Sequence, residues 1–160
     1  MAELSFTNHD HGACITDGVA RADAACRVAG LHFTPVRRRV LEILLQEHRA
    51  IGAYDVLEFL RQEGLGSQPP VAYRALDFLV KNGFAHKIER LNAFVACAHA
   101  GQQHMPVFLI CRACDMVAET RWSPDRSELG HAAEAIGFEV EAVVVEALGT
   151  CPNCRESAPV

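Results

Sequence analysis

The sequence predicts an α+β fold in two parts: an N-terminal winged helix and a small α/β domain that contains a four-cysteine metal site. Helical hydrophobic patterns fill the chain up to Gly83, a two-residue period replaces them from Phe84, and two Cys-x-x-Cys pairs frame the second half. We expect residues 1 to 20 to form an N-terminal extension, 21 to 97 the winged helix, 98 to 104 a hinge and 105 to 160 the second domain.

The charge of the chain is unevenly distributed. The 160 residues are 50% hydrophobic and have a formal net charge of −5. Residues 21 to 90 hold 11 Lys and Arg against 8 Asp and Glu, whereas residues 91 to 160 hold 4 against 9. The first segment can therefore approach a polyanion that the second would repel. No apolar run approaches the roughly 20 residues of a membrane helix, and no signal-peptide pattern is present, so we expect a cytoplasmic protein without a membrane partner.

Four helices are predicted in the first half from their hydrophobic faces and their end signals. The first covers residues 19 to 29. The second begins after Thr34, an N-cap followed by proline in the first helical position, and it leaves three consecutive arginines towards solvent. The third covers residues 54 to 63, and the fourth begins at Ser67 and ends at Gly83.

A β-hairpin with its turn at residues 91 to 93 completes the first half, and packed helices followed by a hairpin describe a winged helix. The second half is predicted to contain the strands PVFLIC and MVAET, a helix that Ser123 caps, and a last strand FEVEAVVVEAL. The apolar residues of its helix, which we expect to face the core, are Leu129, Ala132, Ala133 and Ile136.

The two Cys-x-x-Cys pairs are the strongest chemical signal in the sequence. They consist of Cys111 with Cys114 and of Cys151 with Cys154. Each tight turn presents two thiolates, and the two turns together complete the tetrahedral set that zinc prefers in structural sites. The 36 residues between the pairs contain two strands and a helix, which can return the chain to its starting point. We therefore predict a structural zinc site.

Two other interpretations of the cysteines remain open. A dithiol redox pair, as in a zinc-ribbon thiol oxidoreductase, needs a thiol of low pKa, commonly at the start of a helix, and neither pair opens a predicted helix. Buried cysteines without a ligand are the second alternative. No hydrolytic triad, phosphate loop or His-Glu-x-x-His motif is present, so we expect neither catalysis nor a small-molecule substrate.

Five segments carry a resemblance to a known family: TPVRRRVLEIL, GAYDVLEFL, PPVAYRALDFLVKNGFAHKIE, VFLICRAC and EALGTCPNC. In this order they resemble the ferric uptake regulator (Fur) superfamily, and specifically its zinc uptake regulator (Zur) branch, over about residues 20 to 155. The resemblance implies a winged helix-turn-helix DNA-binding domain and a dimerisation domain. It also implies a homodimer that binds palindromic, AT-rich operators in double-stranded DNA and represses zinc uptake genes when loaded with zinc.

The chain departs from the family pattern in two places. Val71 and Ala72 replace the usual small hydroxyl residue and valine before the Tyr-Arg pair, which removes one phosphate or capping contact. The histidine-rich run that the iron branch carries before the linker strand is missing, which weighs against iron. An iron- or peroxide-responsive regulator of the same family is the alternative function.

Tyr73 and Arg74 lie near the start of the fourth helix, which a winged helix would place in the major groove of DNA. An arginine there can pair with guanine N7 and O6, and a tyrosine can contact a thymine methyl group or a phosphate. By the resemblance, Tyr54 matches a DNA-contacting position and Arg37 is a phosphate contact. The alternative for these residues is an ordinary solvated surface.

The resemblance also implies a regulatory metal site, whose ligands are His86, Cys97, His104 and Glu119. One thiolate, two imidazoles and a carboxylate suit tetrahedral zinc and are softer than sites for iron or manganese, so we expect about two zinc ions per chain, one structural and one regulatory. Taken singly, each residue has an ordinary alternative as a surface or buried side chain.

Three further hypotheses concern metal binding by this chain. His99 is the substitute ligand because it lies two residues from Cys97. An extra site formed by His9, His11 and Cys14 is the second hypothesis. The third is that zinc clamps the winged helix onto the dimerisation domain and so fixes the spacing of two recognition helices, which requires roughly 10⁴-fold tighter zinc binding to the closed state for a full switch.

Overall fold

A computed structural model describes residue 6 and residues 11 to 47, 49 to 102, 104 to 121 and 126 to 157. These residues contain six α-helices and six strands. The elements are α1 (His11–Ala29), α2 (Pro35–Gln46), β1 (Ile51–Gly52), α3 (Ala53–Gln62), α4 (Pro69–Lys81), β2 (Ala85–Ile88), β3 (Ala93–Ala96), β4 (Pro106–Cys111), β5 (Val117–Arg121), α5 (Arg126–Glu134), β6 (Val145–Gly149) and α6 (Pro152–Glu156), with a 3-10 turn at Glu89–Leu91 between β2 and β3.

The predicted cap of α2 is confirmed and that of α4 is wrong. The Thr34 hydroxyl accepts the backbone N–H of Arg37 at 3.3 Å, as an N-cap does. The N-cap of α4 is Gln68, not Ser67, and it makes no side-chain cap bond. Two prolines occupy the first turn of α4, and because proline has no N–H, two of the donors that a cap would satisfy do not exist there.

Helix α1 begins at His11, eight residues before its predicted start at residue 19. Part of the predicted N-terminal extension is therefore helical. Val19, Ala22 and Cys26 are buried at helical spacing, and α1 packs against α2 so closely that a Cβ on Gly18 would lie 2.7 Å from the Leu45 side chain. The contact with α2, which no local pattern announces, stabilises the extra turns.

A single hydrophobic cluster joins α1 to α4 with one face of the hairpin, as a winged helix requires. The hairpin sheet has the order β1-β3-β2, and all its pairs are antiparallel. Asn92 closes the predicted turn with a left-handed backbone, a conformation that asparagine tolerates better than most residues. The short strand β1 was not predicted, since two residues are too few to show a period.

The sheet of the second half has the order β5-β4-β6, with β4 antiparallel to β5 and parallel to β6. Only the end of the predicted last strand forms β6. The predicted cap Ser123 lies outside the described residues. The predicted inner face of α5 is wrong for the isolated chain: Ala133 is buried, but Ala132 is exposed, and Leu129 and Ile136 are 51% and 81% exposed. Among the described residues, no other element covers these apolar side chains.

Strand β3 is buried on both faces, which explains its wholly apolar sequence. One face belongs to the winged-helix core. The other packs with β4 and β5 in a second cluster, which we call the shared cluster: Ile88, Val95, Phe108, Ile110 and Val117. An isolated β-bridge between Arg49 and Met116 adds a further contact between the two halves. Among the described residues, no helix has the length and apolarity needed to cross a bilayer.

Candidate metal centres and nucleic-acid interface

The four-cysteine group consists of Cys111, Cys114, Cys151 and Cys154, whose Sγ atoms all lie within 4.8 Å of one another. Cys111 ends β4 and Cys151 immediately precedes α6. The parallel pairing of β4 with β6 continues to Cys111 opposite Gly149, which brings the two turns together. The Sγ atoms of Cys114 and Cys151 are 3.8 Å apart, so one pair faces the other across the centre.

Backbone donors already favour ionisation of one of these thiols. The Cys151 N–H donates to the Cys111 sulfur at 3.3 Å and lowers the pKa of Cys111 to about 6. The Cys151 side chain instead raises the pKa of Cys154 to about 12. Four thiols this close cannot all ionise without a cation between them, whereas a tetrahedral metal ion removes that repulsion. The donor set therefore fits zinc.

The prediction that neither cysteine pair opens a helix is wrong for the second pair, because Cys151 is the N-cap of α6. Helix α6 has only five residues. A redox site needs only two sulfurs, whereas the two cysteine pairs together bring four sulfurs close to one another. This closeness favours a metal site over a dithiol redox site.

The mixed group consists of His86, Cys97, His104 and Glu119, whose ligand atoms also lie within 4.8 Å of one another. They come from four segments: β2, the end of the hairpin, the stretch before β4, and β5. His104 Nε2 lies 2.8 Å from Glu119 Oε1 and 3.5 Å from Cys97 Sγ. His86 Nε2 is 3.6 Å from the same carboxylate oxygen.

Two features of the mixed group fit a metal ion. His86 Nε2 is buried and has no hydrogen-bond partner among the described residues, so a buried polar atom points into the group unsatisfied. The Glu119 carboxylate is 1% exposed. Its Oε2 accepts the Ala98 N–H at 2.8 Å, which turns Oε1 towards the two histidines. A cation at the centre would satisfy both groups.

Burial sets the protonation of the mixed group before any metal arrives. Burial lowers the pKa of His86, which keeps the imidazole neutral and able to ligate. Burial also raises the pKa of Cys97 to about 12, so its thiol ionises only when a cation compensates the charge. The Gln102 carbonyl lies 2.9 Å from His104 Nδ1 and fixes a tautomer in which that nitrogen carries the proton and Nε2 is free to ligate.

The predicted substitute ligand His99 lies beside the mixed group rather than in it. Its backbone N–H donates to Cys97 Sγ at 3.3 Å, and its ring centre is 5.3 Å from that of His104. The backbone N–H contact of His99 to Cys97, like the contacts of the Ala98 and Gln102 backbones, involves a main-chain atom and leaves no sequence signal. Of the extra site predicted from His9, His11 and Cys14, His9 and the side chain of His11 lie outside the described part of the chain, and Cys14 is half-buried in α1.

The predicted DNA-contacting side chains of α3 and α4 share one open groove. Tyr54 is 69% exposed at the start of α3, and Tyr73 is 41% exposed in α4. Both line a cavity of about 610 Å³ between the helices and the hairpin. Arg74 is exposed beside Tyr73. Lys81 and Lys87, which the sequence interpretation did not single out, stand at the same cavity together with Asp77, and Lys87 is paired with Glu89 at 2.9 Å.

The three consecutive arginines of α2 are half-buried, contrary to the expectation that they face solvent. The Arg37 guanidinium lies 3.7 Å above the Phe78 ring and donates to the His32 carbonyl. Arg38 and Arg39 instead form ion pairs with acidic side chains, at 2.9 and 2.7 Å. Arg37 thus contacts neutral groups, whereas Arg38 and Arg39 contact carboxylates, so the positive charge of Arg37 is not offset in these contacts.

The chain is similar to proteins of one regulatory family. No family model matches it. It is 36% identical over 139 residues to the zinc uptake regulation protein of Escherichia coli (strain K12), which is 86% of this chain and 81% of that protein. A zinc uptake regulator complexed with zinc and DNA superposes with a TM-score of 0.84 at 35% identity, covering 89% of this chain and 95% of that one.

Two solved structures of XcZur, one holo and one apo, were compared with this chain. The holo structure gives a TM-score of 0.79 at 39% identity, over 88% of this chain and 99% of that one. The apo structure gives 0.50 at 40% identity, over 89% and 98%. At nearly equal identity, this chain therefore superposes better on the holo structure than on the apo structure.

Proposed function

The chain belongs to the family of zinc uptake regulation proteins, and we propose that it is a zinc-responsive repressor that binds palindromic, AT-rich operators as a homodimer and lowers transcription of zinc uptake genes. The observation that carries this proposal is the mixed group, because it draws ligand atoms from both halves of the molecule. The E. coli relative is described as a regulation protein, which agrees with the prediction that the chain is not an enzyme. We place it in the cytoplasm, where its operator would be.

We propose two zinc sites per chain, with different roles. The four-cysteine group holds the structural ion, and the mixed group holds the regulatory ion. When bound, zinc supplies a divalent Lewis acid that accepts four nitrogen, sulfur or oxygen ligands. The Cys97 thiolate favours zinc over the harder ions that all-oxygen sites select, which argues against manganese in the mixed group.

The residues of the mixed group connect two rigid bodies. We propose residues 21 to 97 as the winged helix, 98 to 104 as the hinge and 105 to 160 as the dimerisation domain. His86 and Cys97 belong to the winged helix, and Glu119 belongs to the sheet of the second domain. His104 is the last residue of the hinge and lies two residues before β4. Ligation across this boundary restrains the orientation of one body against the other.

We propose that α4 is the recognition helix. Arg74 is exposed in its first turns and can reach a guanine edge, while Tyr73 and Tyr54 can contact bases or phosphates from the same groove. Arg37, whose contacts at this surface are with neutral groups, can pair with a phosphate. Support comes from the TM-score of 0.84 with the relative bound to zinc and DNA, against 0.50 with an apo relative.

A second copy of the chain is the proposed partner of the second half. Its apolar residues are exposed in the isolated chain, on α5 and on the strands and connections around β4 and β6. Exposed apolar side chains in this number are typical of an interface between subunits. The exposed residues are Leu109, Leu129, Ile136, Phe138, Val140, Val144 and Leu148.

The test is operator binding, followed by fluorescence anisotropy in zinc buffers, for the wild type and for Cys97→Ser. We expect zinc to be required by the wild type, and we expect the variant to lose zinc-dependent binding while it remains a folded dimer with one zinc ion. Cys14→Ser is the control, because this half-buried cysteine of α1 belongs to neither group. Equal binding by stripped and loaded wild type would refute the proposal, and binding restored by iron alone would favour an iron-responsive regulator.

A further inference from the structure

Two glutamates flank one phenylalanine in a row across the second sheet. Phe108 of β4 is in register with Glu119 of β5 on one side and with Glu146 of β6 on the other. Residues in register on neighbouring strands project from the same face of a sheet. Phe108 is fully buried against the hairpin of the winged helix. Both carboxylates therefore stand on the face of the sheet that meets this hairpin.

The two carboxylates hold opposite ends of the hairpin. Glu119 lies at its base, in the mixed group with His86 and Cys97. Glu146 lies at its tip, where Oε1 accepts the Glu89 N–H at 2.8 Å and Oε2 accepts the Arg90 N–H at 3.4 Å. These two N–H groups open the 3-10 turn, and the first N–H groups of a helical turn have no acceptor within it. A carboxylate is a strong acceptor for them.

The shared cluster fills the space between these two ends. Ile88 and Val95 of the hairpin pack in one apolar cluster with Phe108, Ile110 and Val117. The interface thus has a metal group at one end, an apolar centre and a hydrogen-bonded carboxylate at the other end. Only the first of these three contacts depends on a metal ion.

We propose that Glu146 is a positioning residue for DNA binding, which fastens the tip of the hairpin to the dimerisation sheet without metal and so sets how much zinc is needed to reach the DNA-binding arrangement. This inference rests on the proposed function. The apparent affinity for a ligand that binds one conformation falls in proportion to the population of that conformation. Loss of the Glu146 contacts lowers the closed population of zinc-free protein, and zinc then has to restore it.

The size of the effect follows from the contacts. A net hydrogen bond of ordinary strength changes an equilibrium constant by about fivefold. We expect Glu146→Ala to raise the free zinc concentration for half-maximal operator binding by about five- to tenfold. Glu146→Gln, which retains one acceptor oxygen without charge, should have a smaller effect. At saturating zinc, both variants should bind the operator within about twofold of the wild type, because the closed state is then fully populated.

The experiment combines two measurements on the full-length dimer. The first is an operator-binding titration in zinc buffers for wild type, Glu146→Ala and Glu146→Gln. The control is Glu141→Gln. It removes one negative charge from an exposed side chain that lies five residues before Glu146. The second is amide hydrogen exchange of zinc-free protein without DNA, where we expect the Glu89 and Arg90 amides to exchange about fivefold faster in Glu146→Ala.

The possible results bear on the role of Glu146 and on the proposed function in different ways. A zinc midpoint and amide exchange that match the wild type would overturn the role of Glu146. Loss of operator binding at saturating zinc, or dissociation of the dimer, would also overturn it and would identify Glu146 as a residue of general stability. If the wild type itself showed no zinc dependence, the proposed function would fail, while the exchange measurement would still report on the contact.

Discussion

The two metal groups are assembled in opposite ways. The four-cysteine group joins two tight turns at the ends of neighbouring strands in one sheet, so its ligands are held by local structure. The mixed group collects one ligand from each of four segments, in both halves of the chain. A metal in the first group stabilises one domain, whereas a metal in the second changes the relation between two domains. The difference teaches that similar ligand chemistry serves folding in one place and switching in the other.

The largest effect is expected when a ligand of the four-cysteine group is removed. We expect Cys114→Ser to unfold most of the second half, because structural zinc contributes on the order of 10 kcal/mol of apparent binding free energy to folding. The variant should retain no tightly held zinc and should sediment as a monomer. The measurements are metal content after purification, circular dichroism and sedimentation velocity.

Cys14→Ser again serves as the matched control for Cys114→Ser, since its sulfur lies outside both groups. If the Cys114→Ser protein remained a folded dimer with its full metal content, the four-cysteine group would not hold a structural ion, and the contrast between the two groups would disappear.

Graded metal removal separates the two groups without mutation. A chelator at moderate concentration should remove one zinc ion per chain and leave the other, because the mixed group can open at the hinge while the four-cysteine group stays within one sheet. Loss of that first ion should weaken operator binding by about 10²-fold or more, with the helical content unchanged. Metal analysis and anisotropy on the same samples check both expectations.

The order of metal loss is decisive in this experiment. Simultaneous release of both ions, or loss of the dimer with the first ion, would mean that the two groups act as one unit. In Cys97→Ser protein, the same chelator concentration should release no metal, since only the tightly held ion is present.

A smaller effect is expected from His99, which lies beside the mixed group. We expect His99→Ala to weaken zinc binding by roughly tenfold, as for residues that support a ligand, because its backbone N–H to Cys97 survives the change while the packing of its ring against His104 is lost. His104→Ala removes a ligand and should weaken binding far more. Competition with a zinc-binding dye measures both affinities, and equal losses would make His99 a ligand in its own right.

The two cysteine turns and the start of α2 could be predicted because they rest on short-range rules. Two cysteines three positions apart share a tight turn wherever they occur, and Thr34 followed by proline starts a helix by its own chemistry. The mixed group was different. Spacing alone left His86, Cys97 and Glu119 with ordinary alternatives, and only the family resemblance put them together before the structure did.

The errors share a physical cause. Contact with α2 stabilises α1 from His11, the ion pairs of Arg38 and Arg39 depend on acids remote in the chain, and β1 exists only because Ile51 pairs with Phe94. The apolar residues of α5 follow a helical period that predicts burial, but the period does not say whether this chain or a second copy covers them.

By itself, the sequence determined the order of the helices and strands apart from β1 and α6, the hairpin turn at Asn92, the two cysteine turns and the charge difference between the halves. Each of these follows from residues within a few positions of one another. The tertiary structure decided that Glu119, Phe108 and Glu146 stand in one row and that the hairpin lies on it, because strand register and sheet order bring together residues that are far apart in the chain. The mixed group exists only through that long-range packing.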